Sequence, residues 1–123
     1  MKLRVRGSSI RLRVTRTEVA RLAAGEPVEE RVPFGAGAAL LYGIEPSTAA
    51  AVDARLEGAH VRVLAPSALL SSWATSADVG FEAKKDLGDG TTLTILVEKD
   101  WTCLTSRPGD EDIDTFPNPN TSC

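Results

Sequence analysis

The sequence predicts one α+β domain, in which an antiparallel sheet or small barrel of about seven or eight strands carries two helices. Segments with strictly alternating apolar and polar residues recur along the chain and indicate strands, because successive side chains of a strand point to opposite faces. Two segments repeat apolar residues at helical spacing instead. The order strand, helix, strand, strand occurs twice, which suggests two βαββ repeats at residues 10–45 and 61–98.

The chain opens with a predicted hairpin. Lys2–Arg6 and Ile10–Val14 both alternate, with aliphatic residues on one side and arginine on the other. Gly7 lies between them and can adopt the positive φ of a tight turn. A helix follows, with Thr15 or Thr17 as its expected cap, and a glycine and a proline end it.

Four strands are expected in the middle of the chain. Val28–Phe34 and Ala38–Glu45 are joined by a glycine-rich turn, and Pro46 is expected to break the second of them. Ala50–Glu57 and His60–Leu64 alternate in the same way and are joined by a tight turn.

A second helix and a last pair of strands complete the pattern. Ser67–Thr75 places Leu70 and Trp73 on one side, and Ser67 is its expected cap. Val79–Lys85 and Thr91–Lys99 then form a predicted hairpin. The last segment is the strongest strand signal in the chain, and its apolar residues on both faces predict a central strand.

Composition and charge exclude some classes of protein. The apolar runs are too short to span a membrane, and the N-terminus alternates charged and apolar residues rather than forming a signal peptide. We therefore expect a cytoplasmic protein without membrane contact. The net charge is −3, but residues 1–21 are strongly basic and residues 98–123 are strongly acidic. These ends can attract each other, or the basic segment can be a free surface for an anionic partner.

The arginines of the first hairpin are the first candidate site. Four of them fall on one predicted face: Arg4, Arg6, Arg11 and Arg13. Each guanidinium can bind a phosphate or carboxylate through two hydrogen bonds. The alternative is a solvated face that is neutralised by Glu29, Glu57 or the acidic tail. Nucleic acid is disfavoured as the ligand, because single-stranded binders interleave aromatic side chains and these strands contain none.

The end of the last strand is the second candidate site. Lys99 and Asp100, with Arg107 further on, could contact a ligand, since functional groups collect at strand ends. Alternatively, Cys103 could act with Lys99, Asp100 and His60 as a small enzyme or metal site. A buried, inert thiol is the commoner role for such a cysteine. The pattern therefore predicts no catalytic set, no metal site and no cofactor.

The acidic tail contains a partial metal-binding pattern. Asp110, Asp112 and Asp114 alternate as they would in a calcium loop. Thr115 takes the place of the expected glycine, however, and Thr121 that of the closing glutamate. No calcium site is predicted, and the apolar residues of the tail are expected to anchor it to the body of the domain.

Three parts of the chain carry a resemblance: KLRVRGSSIRLRVTRTEV at the start, WATSADVGFE in the middle, and LVEKDWTCL with RPGDEDIDTFPNPN near the end. They resemble a family of small bacterial proteins that has no assigned function. The resemblance covers nearly the whole chain and implies a stand-alone bacterial cytoplasmic domain. It supplies no catalytic residues.

The leading functional hypothesis is a non-enzymatic binding or interaction module. Its basic hairpin face would meet an anionic small molecule, a protein partner or its own acidic tail. The alternatives are the small enzyme or metal site described above, and a structural protein that self-associates through exposed strand edges. A monomer and a homodimer are both compatible with this sequence.

Overall fold

The computed structural model describes residues 1–100 and residue 116. In this part of the chain the strands are β1 (Lys2–Arg6), β2 (Ser9–Val14), β3 (Val28–Gly35), β4 (Ala38–Ser47), β5 (Asp53–Glu57), β6 (His60–Pro66), β7 (Gly80–Asp86) and β8 (Thr92–Lys99), and the helices are α1 (Arg16–Ala23) and α2 (Ser67–Thr75). The α+β class and the two helices are confirmed.

The strands form two mixed four-stranded sheets that do not close into a barrel. The strand order is β1-β2-β8-β7 in sheet A and β3-β4-β6-β5 in sheet B. β2 runs parallel to β8, and β4 runs parallel to β6, whereas the other neighbours are antiparallel. The expectation of one antiparallel sheet or barrel is therefore wrong. Alternation identifies the buried face of a strand but not the strand beside it, so the sequence pattern does not reveal the parallel pairs.

Each sheet joins two hairpins, and the hairpin turns lie at one end of it. β2 leads directly into α1, and β6 leads directly into α2, so a helix begins at the other end of each sheet. The two helices pack against each other. β8 is confirmed as a central strand, because it lies between β2 and β7.

The core lies between the inner faces of the sheets and the two helices. Its buried residues are Leu12 and Val14 of β2, Ile95 and Val97 of β8, Val28, Ile44, Ala54, Val63 and Ala65 of sheet B, Val19 and Leu22 of α1, and Leu70 and Trp73 of α2. Each large aliphatic side chain in this set contributes about 1.5–3 kcal/mol when it is fully buried. Because one face of β2 and one face of β8 are buried in this core, the other face of each strand points to solvent.

Local details differ from the sequence prediction at two proline-containing segments. β4 continues through Pro46, which pairs with Ala65 of β6. This is possible because the pairing of β3 with β4 ends at Ile44, so Pro46 has an open edge on that side. At α2, Pro66 precedes the helix without a side-chain cap, and Ser67 is its first residue.

The start of α1 is capped more completely than the sequence suggests. The hydroxyl of Thr15 accepts a hydrogen bond from the backbone of Glu18, and the Glu18 carboxylate accepts one from the backbone of Thr15. This reciprocal capping box satisfies two backbone donors at the helix start. In residues 1–100, neither helix is long and apolar enough to cross a membrane.

Candidate anion-binding face

One face of sheet A points away from the core and carries the basic residues of the first hairpin. We call this the basic face and define it by Lys2, Arg4, Arg6, Arg11 and Arg13. The intervening residues Leu3 and Leu12 lie opposite each other on the inner face. The alternation predicted from the sequence therefore brings the four arginines to one surface, as the hypothesis requires.

The basic face is only partly neutralised. Arg4 lies directly opposite Arg11, an arrangement of like charges that is unfavourable in a sheet. The Nε atom of Arg11 is 2.9 Å from Oε1 of Glu98, although the N–H is not aligned for a hydrogen bond. The guanidinium groups of Arg4, Arg6 and Arg13 make no hydrogen bond or ion pair within the part of the chain that the structure describes. Within the described residues, three guanidinium groups on this face therefore have no acidic partner.

The acidic neighbours expected from the sequence lie elsewhere. Glu29 and Glu57 belong to sheet B, where Glu29 contacts Nε2 of His60 at 2.9 Å and Glu57 contacts Nη1 of Arg62 at 2.6 Å. Their expected role in neutralising the arginines is therefore wrong. The actual partner, Glu98, becomes evident only once β8 is known to lie parallel beside β2.

Lys99 lies at the helix end of β8 and points away from the basic face. Its side chain is 3% exposed, and its ammonium donates a hydrogen bond of 2.7 Å to the carbonyl of Ser76. It lies over the rings of Trp73 and Phe116, at 5.9 and 5.3 Å from the ring centres. Burial lowers the pKa of Lys99 below its ordinary value, and the charge of Asp78 opposes that change. These contacts connect β8, α2 and Phe116.

Asp100 lies beside the basic face rather than within it. It is 7% exposed, and its Oδ2 is 3.7 Å from Nζ of Lys2. Its backbone N–H donates to Val14, and its carbonyl accepts from Phe116, each at 2.8 Å. Arg107, the remaining predicted ligand contact, lies outside the described residues, as does most of the tail.

The residues of the enzyme alternative are described only in part. His60 lies at the hairpin-turn end of β6 in sheet B, in a shallow recess beside Gly43 and Arg62. Lys99 lies at the helix end of β8 in sheet A, so the two residues belong to different sheets. Cys103 lies outside the described residues. Within residues 1–100 and at 116, no three His, Cys, Asp or Glu side chains are arranged to hold a metal ion.

The fold of the described residues is that of a small two-sheet α+β protein, with a basic face on sheet A. A family model described as "Family of unknown function (DUF7009)" matches residues 1–120, and the chain belongs to that family. The resemblance to an uncharacterised family is thereby confirmed. Neither the curated proteins nor the solved structures that were compared contain a match to the chain.

Proposed function

We propose that this protein is a non-enzymatic binding module whose basic face takes up an anionic ligand. The observation that carries the proposal is the set of three arginines, Arg4, Arg6 and Arg13, that have no partner within the described residues. Alternate residues of a strand lie about 7 Å apart and neighbouring strands about 5 Å apart, so one multivalent anion can reach several of these groups. Guanidinium groups suit phosphate and carboxylate oxygens equally well.

Sheet B provides an internal comparison, because β5 and β6 occupy the places that β1 and β2 occupy in sheet A. Arg62 corresponds to Arg11, and each contacts a glutamate of the parallel neighbour, Glu45 in one sheet and Glu98 in the other. Arg62 also has a second acidic partner, Glu57. Arg62 in sheet B therefore contacts two carboxylates, whereas Arg11 in sheet A contacts one.

The remaining positions strengthen this contrast. Arg6 closes the first hairpin at the position that Glu57 occupies in sheet B, and Lys2 occupies the position of Asp53. The same places in the fold are thus basic in one sheet and acidic in the other. Folding of such a hairpin does not require the excess positive charge, which supports a role for that charge in binding.

We also propose that residues 10–45 and 61–98 are two copies of one βαββ unit. The support is a series of buried pairs at matching positions: Leu12 and Val63, Val14 and Ala65, Val19 and Leu70, and Leu22 and Trp73. The preceding hairpins also match, with positive φ angles at Gly7 and Gly58. Exchange of the turn residues Ser8 and Ala59 should then change the free energy of unfolding by less than about 0.5 kcal/mol. A loss of more than about 1.5 kcal/mol would count against equivalence of the two turns.

The binding proposal is tested with inorganic polyphosphate of defined chain length, titrated into the full chain at low salt. The double variant Arg4→Ser/Arg6→Ser should bind at least about tenfold more weakly, since two direct cation contacts are lost. The matched control, Arg31→Ser/Arg55→Ser, removes the same charge from sheet B and should bind within about twofold of the parent. Absence of binding at low salt, or equal losses in both variants, would overturn the proposal.

The acidic tail of the same chain is the second candidate occupant of the basic face. Phe116 donates its backbone N–H to Asp100, whose side chain lies 3.7 Å from Lys2, so the tail includes a residue close to this face. Removal of residues 107–123 should strengthen polyphosphate binding if the tail competes for the arginines. Unchanged binding would leave an external anion as the ligand.

A further inference from the structure

We propose that the edge strand β1 takes up an extended partner strand in which acidic and apolar residues alternate. The part of this inference that concerns charge rests on the proposed function. It adds a pairing of backbones and an apolar contact, and it thereby specifies the class of ligand as a peptide segment rather than a free anion. Addition of a strand to an exposed sheet edge is a common mode of peptide recognition.

The backbone of β1 offers a free edge. In the part of the chain that the structure describes, β1 is the outermost strand of sheet A and pairs on one side with β2. The two-residue turn at Gly7 is closed by the pair Arg6 and Ser9, which places Leu3 and Val5 at positions whose N–H and C=O point away from β2. Leu3 and Val5 make no further hydrogen bond within the described part of the chain.

The corresponding strand of sheet B confirms this orientation. Ala54 of β5 occupies the position of Leu3, and its carbonyl accepts a hydrogen bond of 2.7 Å from Nζ of Lys85 on β7. The carbonyl at this position therefore points outward from the sheet. In β5 this carbonyl already accepts a hydrogen bond, whereas in β1 no described residue donates to it.

The side chains of β1 specify the chemistry of the partner. Lys2, Arg4 and Arg6 alternate along the outer face, and a strand paired with β1 would place every second residue beside them. The period of about 7 Å is the same in both strands, so alternate Asp or Glu residues would lie beside Arg4 and Arg6 in turn.

The other face of β1 is apolar, and it is exposed at Val5. Val5 is 67% exposed, although Ile10 opposite it is half-buried and Ile95 in the next strand is fully buried. The apolar row therefore continues from the core to the edge and ends at Val5. An apolar side chain of the added strand would extend this row by one position and cover it.

β5 lacks the combination of features found in β1. Leu56 is exposed at the position of Val5, but the outer residues Asp53, Arg55 and Glu57 alternate in sign, and Lys85 occupies the outward carbonyl. This strand is therefore a matched control within the same molecule.

The test uses the full chain and synthetic peptides. A peptide of alternating Asp and Val should bind at least about tenfold more tightly than a peptide of the same composition with its Asp residues in one block. N-methylation of the backbone positions that face β1 should weaken binding at least about fivefold for each hydrogen bond lost. Equal binding of the alternating, block and methylated peptides would overturn the inference.

A backbone variant separates strand pairing from charge. Val5→Pro removes an N–H that points away from β2, so it should abolish peptide binding and leave polyphosphate binding within about twofold. Leu56→Pro is the control in β5 and should leave both unchanged. If Val5→Pro does not fold, Val5→Asp is a second variant. It should weaken peptide binding about tenfold, because an apolar side chain of the peptide would then have to cover a charged carboxylate instead of Val5.

The outcomes distinguish this inference from the proposed function. Polyphosphate binding without preference for the alternating peptide overturns strand addition and leaves anion binding intact. Loss of binding to every anion overturns both. A concentration-dependent dimer that Val5→Pro dissociates would make a second copy of the chain the occupant of β1, and would overturn the acidic partner strand.

Discussion

Replacement of Glu98 by glutamine should release Arg11 and strengthen anion binding. The substitution preserves the size of the side chain and removes the charge that lies 2.9 Å from the guanidinium. The two side chains are 31% and 24% exposed, so solvent screens their interaction. We expect the free energy of unfolding to fall by about 1 kcal/mol or less, as for other exposed pairs.

The effect on binding follows from the number of available cations. For a single-stranded polyanion, each neutralised charge adds about 0.7 to the slope of log K against log salt concentration. The three arginines that have no partner among the described residues thus predict a slope of about −2 for the parent chain, and a fourth predicts a slope of about −3 for Glu98→Gln. The affinity for polyphosphate at low salt should rise accordingly.

The matched control is Glu45→Gln. It changes the net charge by the same amount, but Arg62 keeps Glu57 as a partner, at 2.6 Å. Titrations of both variants over a series of salt concentrations measure the slopes directly. A steeper slope in both variants would mean that net charge governs binding, and an unchanged slope in Glu98→Gln would mean that Arg11 does not contact the ligand. Either result would refute the reasoning.

Three further predictions concern the scaffold and are measured by chemical denaturation. Trp73→Ala should cost about 3–5 kcal/mol, because a large side chain that is 2% exposed leaves a cavity, and a loss below 1 kcal/mol would contradict the assigned packing. Thr15→Ala should cost about 1 kcal/mol through the lost cap, whereas Ser67→Ala at the uncapped start of α2 should cost much less; equal costs would argue against the caps as described. In the folded protein, burial lowers the pKa of Lys99 below its ordinary value of 10.5. At alkaline pH, between the folded pKa and 10.5, the unfolded state therefore binds more protons than the folded state. The stability of the parent chain should therefore rise with pH there relative to Lys99→Met, and parallel pH profiles would refute the role of burial.

Local structure could be predicted from the sequence because it depends on nearby residues. The alternation in Lys2–Arg6 predicted both ends of the first strand, and the spacing of apolar residues predicted both ends of the second helix, Ser67–Thr75. The neighbours of each strand could not be predicted in the same way. Pairing of β2 with β8 depends on contacts between distant parts of the chain, and either strand would show the same alternation beside another partner.

The candidate site also has features that could be predicted from the sequence and features that depend on tertiary structure. That Arg4, Arg6, Arg11 and Arg13 share one face follows from the period of a strand and needs no tertiary information. Which of them is neutralised depends on the strand order, because Glu98 reaches Arg11 only across the parallel pair. The burial of Lys99 also depends on tertiary packing, since its position after an apolar strand is compatible with either a buried or an exposed side chain.

The pairing of the first and last hairpins of the described chain in sheet A has a consequence for the folding of the protein. β2 pairs with β8 in sheet A, and its first residue, Ser9, pairs with Thr94, which is synthesised much later. During synthesis the first hairpin therefore leaves the ribosome long before the strand that will cover its inner face, and folding proceeds through slow, distant contacts. The alternating arginines would keep this waiting hairpin soluble, because like charges on neighbouring molecules repel each other and oppose edge-to-edge aggregation. The charge pattern that we propose for binding would in this way also protect the nascent chain.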